Sequence, residues 1–273
     1  ESGGKRIRGI LAILGYKIVS NKGINRKIFF ASSALEILHL FTLVHDDIMD
    51  NADSRRGRPT IRKKWDSNTA LLSGDLLVGL AYESLMKADL PQIKNALIEF
   101  NKALIEVCEG QAYDKEFEEK DTVSIKEYEM MIQKKTGRLI ESSLLIGAIL
   151  GNAKPKELKA LSRYGKMIGR AFQIKDDLLD IIADEKEFGK KTFGDIKESK
   201  KTYFYVSALK YFSDNDKNTL RLIFKKQKKS KREIKKIVEL FDSYGLISSA
   251  QSEITSLIKK AKMSLQIFKP EKR

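Results

Sequence analysis

Six aspartates in two blocks of identical spacing are the residues of this sequence best suited to chemistry. Residues 46–50 read DDIMD and residues 176–180 read DDLLD, so both blocks have the form DDxxD. The blocks contain Asp46, Asp47 and Asp50, and Asp176, Asp177 and Asp180. On a helix, the first and last carboxylates of a block lie on one face, one turn apart. Aspartate has a poor helix propensity and is costly beside apolar residues unless it has a partner.

A divalent cation is the partner that these carboxylates predict. Carboxylates this close together repel one another unless a cation joins them, and oxygen ligands suit hard ions. Mg²⁺ typically takes one or two carboxylates and fills its remaining positions with substrate phosphates. The chain has two histidines and one cysteine, which argues against a zinc cluster. One block alone is usually a solvated helix face, but two blocks that each follow an apolar run predict Mg²⁺ with a diphosphate.

Basic residues that would pair with a diphosphate lie near both blocks. They are Lys5, Arg8, Arg55, Arg56, Lys135, Lys190 and Lys200. The planar fork of arginine suits phosphate oxygens. Taken singly, each of these residues is most simply an ordinary surface residue. The glycine-lysine stretch at residues 189–191 lacks the GxxxxGK[ST] spacing of a P-loop, so a nucleotide-hydrolysing site of that type is not supported.

Long helices are the elements that must position these residues. Apolar residues recur at three- and four-residue spacing, as in Leu35, Leu38 and Phe41, while alternating segments are scarce. The pattern predicts an all-α chain in a single domain over residues 1–273. Breaks are predicted near residues 20–23, 51–59, 88–91, 151–155, 188–194 and 213–216. Because the sequence begins with Glu1 and not methionine, we expect the natural chain to start earlier.

The net charge of +15, from 52 basic and 37 acidic residues, is partly local. Residues 225–236, KKQKKSKREIKK, contain eight basic residues in twelve. No aromatic residue is interleaved there to stack on bases, so we expect no nucleic-acid partner. The interpretation we favour is a solvated helix or loop. Loose attraction to acidic lipid heads stays open, which would make any membrane contact peripheral.

The single cysteine and the hydropathy pattern indicate an intracellular protein. Cys108 cannot form an intramolecular disulfide and fits a reducing compartment; we expect a small buried hydrophobe and not a nucleophile. The sequence shows no basic-then-apolar signal segment and no uninterrupted apolar run long enough to cross a bilayer. These patterns predict a soluble, cytoplasmic protein.

The chain resembles the trans-isoprenyl diphosphate synthases, the family of farnesyl and geranylgeranyl diphosphate synthases. The resemblance covers nearly the whole chain, and its motifs occur in the family's order. They are GGKRIR at 3–8, LHLFTLVHDDIMDNADSRRGRPT at 38–60, GQAYD at 110–114, KTGRL at 135–139, FQIKDDLLD at 172–180 and GKKTFGDIKESKKT at 189–202. The resemblance implies a helical bundle around a central apolar cavity, several Mg²⁺ ions that bridge both aspartate blocks and the diphosphate, and a homodimer.

The resemblance also implies a role for each matching residue. Direct Mg²⁺ ligands would be Asp46, Asp50 and Asp176, with Asp47, Asp177 and Asp180 supporting them or binding through water. The allylic diphosphate would be held by Arg55, Lys135, Lys190 and Lys200. Isopentenyl diphosphate would be held by Lys5, Arg8, His39 and Arg56, although His39 is otherwise a satisfied core histidine. Gln173 and Thr136 would lie near the reacting carbons, and His45 would be structural or would support the aspartates.

The implied activity is the 1′–4 condensation of isopentenyl diphosphate with an allylic diphosphate. Product length would be set by Phe41, five residues before the first aspartate, with the small Thr42 beside it; this pattern resembles synthases of the C20 product. The alternative for Phe41 is ordinary core packing, with the stop deeper, at Leu38 or a facing helix. Other functions left open are farnesyl diphosphate synthesis, a non-catalytic subunit of a heteromeric synthase, a terpene cyclase and a helical nucleic-acid-binding protein.

Two positions depart from the family's pattern. Gly9 stands where proline usually follows the arginine, which should loosen the start of a helix without removing a ligand. In GKKTFGD, Phe193 takes the place of the usual glycine, which then comes one residue later. That substitution puts the local loop geometry in doubt, although Lys190 and Asp195 keep their spacing.

Overall fold

The computed structural model describes residues 4–20, 23–182 and 193–269, and these residues are almost entirely helical. The helices are α1 (Ile7–Val19), α2 (Ile28–Met49), α3 (Ile61–Lys64), α4 (Ser67–Met86), α5 (Ile93–Glu119), α6 (Ile125–Ile132), α7 (Arg138–Leu150), α8 (Pro155–Ile182), α9 (Gly194–Lys197), α10 (Tyr203–Tyr211), α11 (Asp214–Phe224), α12 (Lys231–Ser243) and α13 (Leu246–Ser264). A π-helical turn, Gln133–Gly137, joins α6 to α7, and a 3-10 turn, Leu265–Ile267, follows α13. The prediction of an all-α chain is confirmed.

Local signals explain where several helices begin. Pro155 is the first residue of α8, where its missing N–H costs nothing. The Ser213 hydroxyl caps α11 by accepting the Asp216 N–H. Ser124 and Ser230 each form a capping box with the glutamate three residues later, which fixes the starts of α6 and α12.

The described helices separate into two compact units, and each is considered by itself. The first unit contains Glu1–Ile105, Leu139–Gly165 and Ser264–Arg273, and the second contains Glu106–Arg138 and Lys166–Met263. The single domain with a central apolar cavity therefore stays a prediction.

In the first unit, α2 packs against both α1 and α4. Helices α1 and α7 also meet, backbone to backbone. A Cβ atom on Gly15 would lie 2.2 Å from the carbonyl oxygen of Leu144, and one on Gly147 would lie 1.9 Å from that of Ala12. Only glycine permits this approach.

Helix α2 is also long and apolar enough to cross a membrane, with a mean hydropathy of 1.6 over an 18-residue window. The core helix of a soluble protein meets the same criterion. Here Leu35 and Leu38 are fully buried, while Glu36 and the terminal Asp46 and Asp47 place charges on the helix. The composition of α2 is therefore weak evidence for a membrane segment.

The second unit has a large aromatic core. Its buried rings include those of Phe117, Tyr128, Tyr203, Phe204, Tyr205, Phe224 and Phe241. Burial of a large apolar side chain stabilises a fold by about 1.5–3 kcal/mol. This core anchors the part of α8 that carries the second aspartate block.

Cys108 departs from its expected burial. The buried stripe of α5 runs through Ala96, Phe100, Ala103 and Val107, at spacings of four, three and four residues. Cys108 lies about 100° round the helix from Val107 and is exposed. The expectation of a buried cysteine was wrong because the helix period places it outside the stripe.

Candidate functional site

The first aspartate block occupies the end of α2, and its three carboxylates have different surroundings. Asp47 is buried, and its Oδ1 accepts a hydrogen bond of 2.8 Å from Arg55 Nε. Burial raises the pKa of Asp47, and the bonded Arg55 opposes that rise. Asp46 is half-buried and Asp50 is exposed at the C-cap. Asp47 therefore holds Arg55, while the first and third carboxylates keep accessible surface.

A small hairpin presents the arginine pair. Strands Ser54–Arg55 and Arg58–Pro59 pair antiparallel, so Arg56 and Gly57 form a two-residue turn. Both turn residues have positive φ, 52° and 74°, as a type I′ turn requires. Arg56 is thereby placed at the exposed tip, whereas Arg55 turns back to Asp47. Two adjacent arginines are thus held in different environments.

Four arginines influence the His39 imidazole on α2. Burial, together with positive charge on Arg8, Arg56, Arg55 and Arg6, lowers the pKa of His39 to about 3. His39 is therefore neutral at physiological pH. Its Nδ1 lies 3.3 Å from Thr42 Oγ1, whose own hydroxyl donates to the His39 carbonyl at 2.8 Å. This region of the first unit concentrates positive charge, which an anion would neutralise.

Arg8 is the most buried of these cations. Burial lowers the pKa of its guanidinium to about 10; negative Glu36 opposes the shift and Arg56 adds to it. The Nε atom of Arg8 is buried without a hydrogen-bond partner among the residues with assigned positions. A buried donor that lacks a partner is costly unless a ligand satisfies it. Arg8 is therefore a strong candidate for binding an anionic group.

The glycines of the N-terminal motif allow close packing around Arg56 and α2. A Cβ on Gly4 would lie 2.8 Å from an Arg56 guanidinium nitrogen, and one on Gly9 would lie 2.6 Å from Ser32 Oγ. The Gly9 N–H also donates to Glu36 Oε1 at 2.8 Å, a bond that proline could not make. The start of α1 is thus tied to α2 at Gly9 and not loosened there. Lys5 is exposed.

His45 and Phe41 lie together on the side of α2 that meets α4. The rings form an edge contact with centroids 4.7 Å apart, and His45 Nε2 lies 3.2 Å from the Leu71 carbonyl oxygen. A Cβ on Gly74 would lie 2.1 Å from the same nitrogen, so His45 packs directly on α4. These contacts are those of a structural residue, which is one of the two roles expected for His45. Phe41 is 8% exposed, which fits core packing as well as a chain-length stop.

The second aspartate block lies near the end of α8, and its middle residue is enclosed. Asp177 is 3% exposed and accepts three hydrogen bonds: from the Tyr128 hydroxyl at 2.7 Å, Gln173 Nε2 at 2.8 Å and the Tyr203 N–H at 2.9 Å. Burial raises the pKa of Asp177 to about 6, against the lowering effect of these bonds. The Asp177 carboxylate therefore joins α6, α8 and α10 within the second unit.

Asp180 caps the short helix α9. Its two carboxylate oxygens accept the N–H groups of Gly194 and Asp195, each at 3.0 Å. Burial raises the pKa of Asp180. Before this helix, Phe193 has φ of 62°, the left-handed region that favours glycine. This positive φ explains why the family usually has glycine at this position. Phe193 adopts the same strained conformation, and its side chain packs on the core of the second unit.

The two blocks share a pattern. In each, the middle aspartate is buried and hydrogen-bonded to protein groups, whereas the first, Asp46 or Asp176, has accessible surface. No group of three or more His, Cys, Asp or Glu side chains is assembled for a metal within residues 4–20, 23–182 and 193–269.

The π-helical turn carries two of the predicted site residues, Lys135 and Thr136. Lys135 Nζ contacts Asp114 of the GQAYD motif at 2.5 Å. The Thr136 hydroxyl donates to Gln173 Oε1 at 2.8 Å, and Gln173 donates in turn to Asp177. The structure therefore brings Thr136, Gln173 and the second aspartate block together. Single π-helical turns inside α-helices are often found at functional sites.

The remaining two predicted lysines follow the second block. Lys200 Nζ lies 3.0 Å from a Glu198 carboxylate oxygen. Lys190 lies outside the described residues.

Sequence reasoning gave no role to Asp114, Tyr128 or Tyr203, which contact predicted site residues directly. Tyr128 and Tyr203 are separated from Asp177 by 49 and 26 residues, and no local pattern signals such pairs. Asp114 was visible within GQAYD, but its pairing with Lys135 needed the structure.

Comparison with known proteins identifies the family. A family model described as polyprenyl synthetase matches residues 1–241. The short chain isoprenyl diphosphate synthase of Methanocaldococcus jannaschii is 42% identical over 88% of this chain and 72% of its own length. The geranylgeranyl diphosphate synthase of Sulfolobus acidocaldarius is 38% identical over 90% of this chain and 75% of its own.

A solved structure gives the same answer. The crystal structure of geranylgeranyl pyrophosphate synthetase from Pyrococcus horikoshii matches with a TM-score of 0.93 at 40% identity, covering 99% of this chain and 83% of that one. These similarities confirm the resemblance that the motifs indicated. The chain belongs to the polyprenyl synthetase family.

Proposed function

We propose that this chain condenses isopentenyl diphosphate with an allylic diphosphate, joining them 1′–4, and releases geranylgeranyl diphosphate (C20). The observation that carries the proposal is the shared pattern of the two aspartate blocks. Each keeps its first carboxylate accessible while protein contacts fix the second. A solvated helix face would not require Asp47 and Asp177 to be buried and bonded. Relatives named geranylgeranyl diphosphate synthase support the C20 product.

Asp46, Asp50 and Asp176 are the residues that would hold Mg²⁺. Their oxygen donors suit this ion, and their small number fits a site that shares its ions with a diphosphate. Asp47, Asp177 and Asp180 would support them, because their carboxylates already accept protein hydrogen bonds. When bound, Mg²⁺ would act as a Lewis acid on the leaving diphosphate.

Fixed cations would hold the two substrates. Arg55, Lys135 and Lys200, with Lys190, would bind the allylic diphosphate and stabilise the negative charge that develops as its C–O bond breaks. Lys5, Arg8, His39 and Arg56 would hold isopentenyl diphosphate. The concentration of arginines around neutral His39 supports this second assignment.

The condensation itself needs no protein nucleophile. The C–O bond of the allylic substrate breaks to give an allylic carbocation and diphosphate. The double bond of isopentenyl diphosphate attacks this cation, and the proton lost afterwards goes to the departing diphosphate. The oxygens of Thr136 and Gln173, fixed by their mutual bond, would lie near the reacting carbons. Apolar surroundings would exclude water, which would otherwise quench the cation.

An assay with radiolabelled isopentenyl diphosphate and a C5, C10 or C15 allylic primer tests the proposal. Products are dephosphorylated and separated by reverse-phase chromatography. A C20 product from all three primers is expected. A product that ends at C15 would establish farnesyl diphosphate synthesis instead. If no primer supports incorporation of isopentenyl diphosphate, the alternative of a non-catalytic subunit would be supported.

We also propose a soluble, cytoplasmic homodimer. Exposed leucines line α4 at Leu72, Leu76 and Leu80, and α5 exposes Ile98 and Ile105. Apolar surface of this kind is what a second copy of the chain would cover. Light scattering after size exclusion measures the assembly.

A further inference from the structure

The basic run at residues 225–236 is largely exposed, as predicted, but Lys229 is an exception. It is half-buried, and its ammonium donates to three oxygens. They are Ser199 Oγ at 2.6 Å, the Lys226 carbonyl at 2.9 Å and the Lys197 carbonyl at 3.1 Å. An ammonium has three protons, so this geometry uses its full donor capacity. Lys229 is therefore held in place, unlike a mobile surface lysine.

Ser199, which accepts the shortest of these three hydrogen bonds, has a left-handed backbone conformation that is unfavourable for serine. Ser199 has φ of 59° and follows the end of α9. Its N–H donates to the Ile196 carbonyl at 3.2 Å, and the Lys200 N–H donates to the Asp195 carbonyl at 2.9 Å. This pattern is a Schellman ending, which usually has glycine at the left-handed position. Serine here supplies a hydroxyl that glycine lacks.

That hydroxyl joins α9 to the end of α11. Ser199 Oγ donates to the Phe224 carbonyl at 2.7 Å and accepts from Lys229. Because Lys229 also reaches the carbonyl of Lys197, one ammonium fixes both the last turn of α9 and the residue after it. The hydroxyl and the ammonium together form a clasp, which we call the Ser199–Lys229 clasp.

The opposite end of α9 is fixed by Asp180 of the second aspartate block, through the N–H groups of Gly194 and Asp195. Helix α9 is thus attached to the aspartate block at its start and to Lys229 at its end. The first residue after the clasp is Lys200. These two attachments therefore hold the backbone that leads into Lys200.

We propose that Lys229 is a positioning residue for Lys200, acting through the Ser199–Lys229 clasp. The inference rests on the proposed function, in which Lys200 binds the allylic diphosphate. Lys229 would not touch the substrate. It would hold the left-handed backbone at Ser199 so that the Lys200 ammonium meets the diphosphate without further ordering of the chain.

Steady-state kinetics of Lys229→Met test the proposal, with Lys228→Met as the matched control. Lys228 is the exposed neighbour in the same basic run. Loss of three charge-assisted hydrogen bonds at Lys229 should raise KM for the allylic diphosphate roughly ten-fold. KM for isopentenyl diphosphate should stay within about two-fold, because the clasp lies in the unit that carries the allylic-site lysines. Lys229→Arg, which keeps charge and donors, should recover most of the loss, and Lys228→Met should match the wild type.

A double-mutant cycle with Lys200→Ala separates positioning from a general structural effect. In the Lys200→Ala background, Lys229→Met should add no further rise in allylic KM. Ser199→Gly relaxes the backbone but removes the hydroxyl, so it should keep thermal stability and still raise allylic KM. Equal rises in KM for both substrates, or additive effects in the cycle, would overturn the inference about Lys229. Neither result would contradict the proposed condensation activity. A Lys200→Ala enzyme with unchanged kinetics would instead reject the role proposed for Lys200 itself.

Discussion

Replacement of Asp177 should damage the fold, whereas replacement of its neighbour Asp176 should damage only activity. Asp177→Ala leaves three donors without a partner in a buried site: the Tyr128 hydroxyl, the Gln173 amide and the Tyr203 N–H. Each buried donor left unsatisfied costs about 1–3 kcal/mol. Removal of a carboxylate whose pKa burial raises to about 6 returns part of that cost. We therefore expect a net loss of about 3 kcal/mol in the free energy of unfolding.

Thermal unfolding measures this loss. For a chain of this size, a change of about 1 kcal/mol shifts Tm by about 2–4 °C, so Asp177→Ala should lower Tm by roughly 10 °C. Asp176→Ala changes an exposed side chain and should stay within about 2 °C of the wild type. The comparison is made at one protein concentration, because association would also shift Tm.

Asp177→Asn sharpens the test. One amide oxygen can still accept from Tyr128 and Tyr203, while the new amide donor faces Gln173. The Gln173 amide and the Thr136 hydroxyl can both reverse their hydrogen bonds, so most stability should return. If Asp177→Ala unfolds with the wild-type Tm, the hydrogen bonds we describe do not anchor α8, and the division of roles within the block is wrong.

Three further predictions concern substrate binding, product length and pH. Arg56→Ala should mainly raise KM for isopentenyl diphosphate and Arg55→Ala mainly that for the allylic partner, about ten-fold each; identical effects on both substrates would reject the division. Phe41→Ala should give products longer than C20 and Thr42→Phe shorter ones; chromatography that shows no change for Phe41→Ala would place the stop elsewhere. Because burial lowers the pKa of His39 to about 3, the unfolded chain binds a proton near pH 6.5 that the folded chain does not. The contribution of His39 to the free energy of unfolding should therefore fall as pH drops below about 6.5, by up to about 1.4 kcal/mol per pH unit. The raised pKa of buried Asp177, about 6, acts in the opposite direction, so the test is the stability difference between the wild type and His39→Gln in urea unfolding at pH 7 and pH 5; a difference that is the same at both pH values would show that His39 does not contribute in this way.

Most of the helical organisation was readable from the sequence. Helix ends lie within or beside the predicted breaks at residues 51–59, 88–91, 151–155 and 213–216, because proline, glycine and capping residues act locally. Within the described residues, the breaks at 65–66, 120–124, 198–202, 225–230 and 244–245 were missed. At 120–124 and 225–230, charged residues and a serine replace the usual glycine and proline. The hairpin at residues 54–59 is too short for an alternating pattern to reveal.

The site was only partly predictable. Spacing identified the aspartates, but it could not show that Asp47 and Asp177 are buried while Asp46 and Asp176 are accessible. That difference comes from partners distant in sequence, such as Tyr128 and Tyr203 for Asp177. Local patterns carry no information about contacts of this kind.

Phe193 shows what a departure from a family pattern can reveal. The sequence indicated only that the expected glycine was displaced. The structure shows φ of 62° at Phe193, so the backbone keeps the left-handed conformation that glycine usually adopts. Whether a side chain can be held in such a conformation depends on its packing, and here the partner is the aromatic core of the second unit.

Magnesium-dependent incorporation of radiolabelled isopentenyl diphosphate by the wild type, Asp46→Ala and Asp176→Ala tests the central claim most directly. Asp242→Ala, which alters an exposed aspartate on α12, is the control. We expect both block variants to lose at least about 100-fold in turnover at saturating magnesium while keeping the Tm of the wild type, with the control unaffected. Near wild-type turnover in either Asp46→Ala or Asp176→Ala would contradict the claim that the two aspartate blocks form the catalytic site.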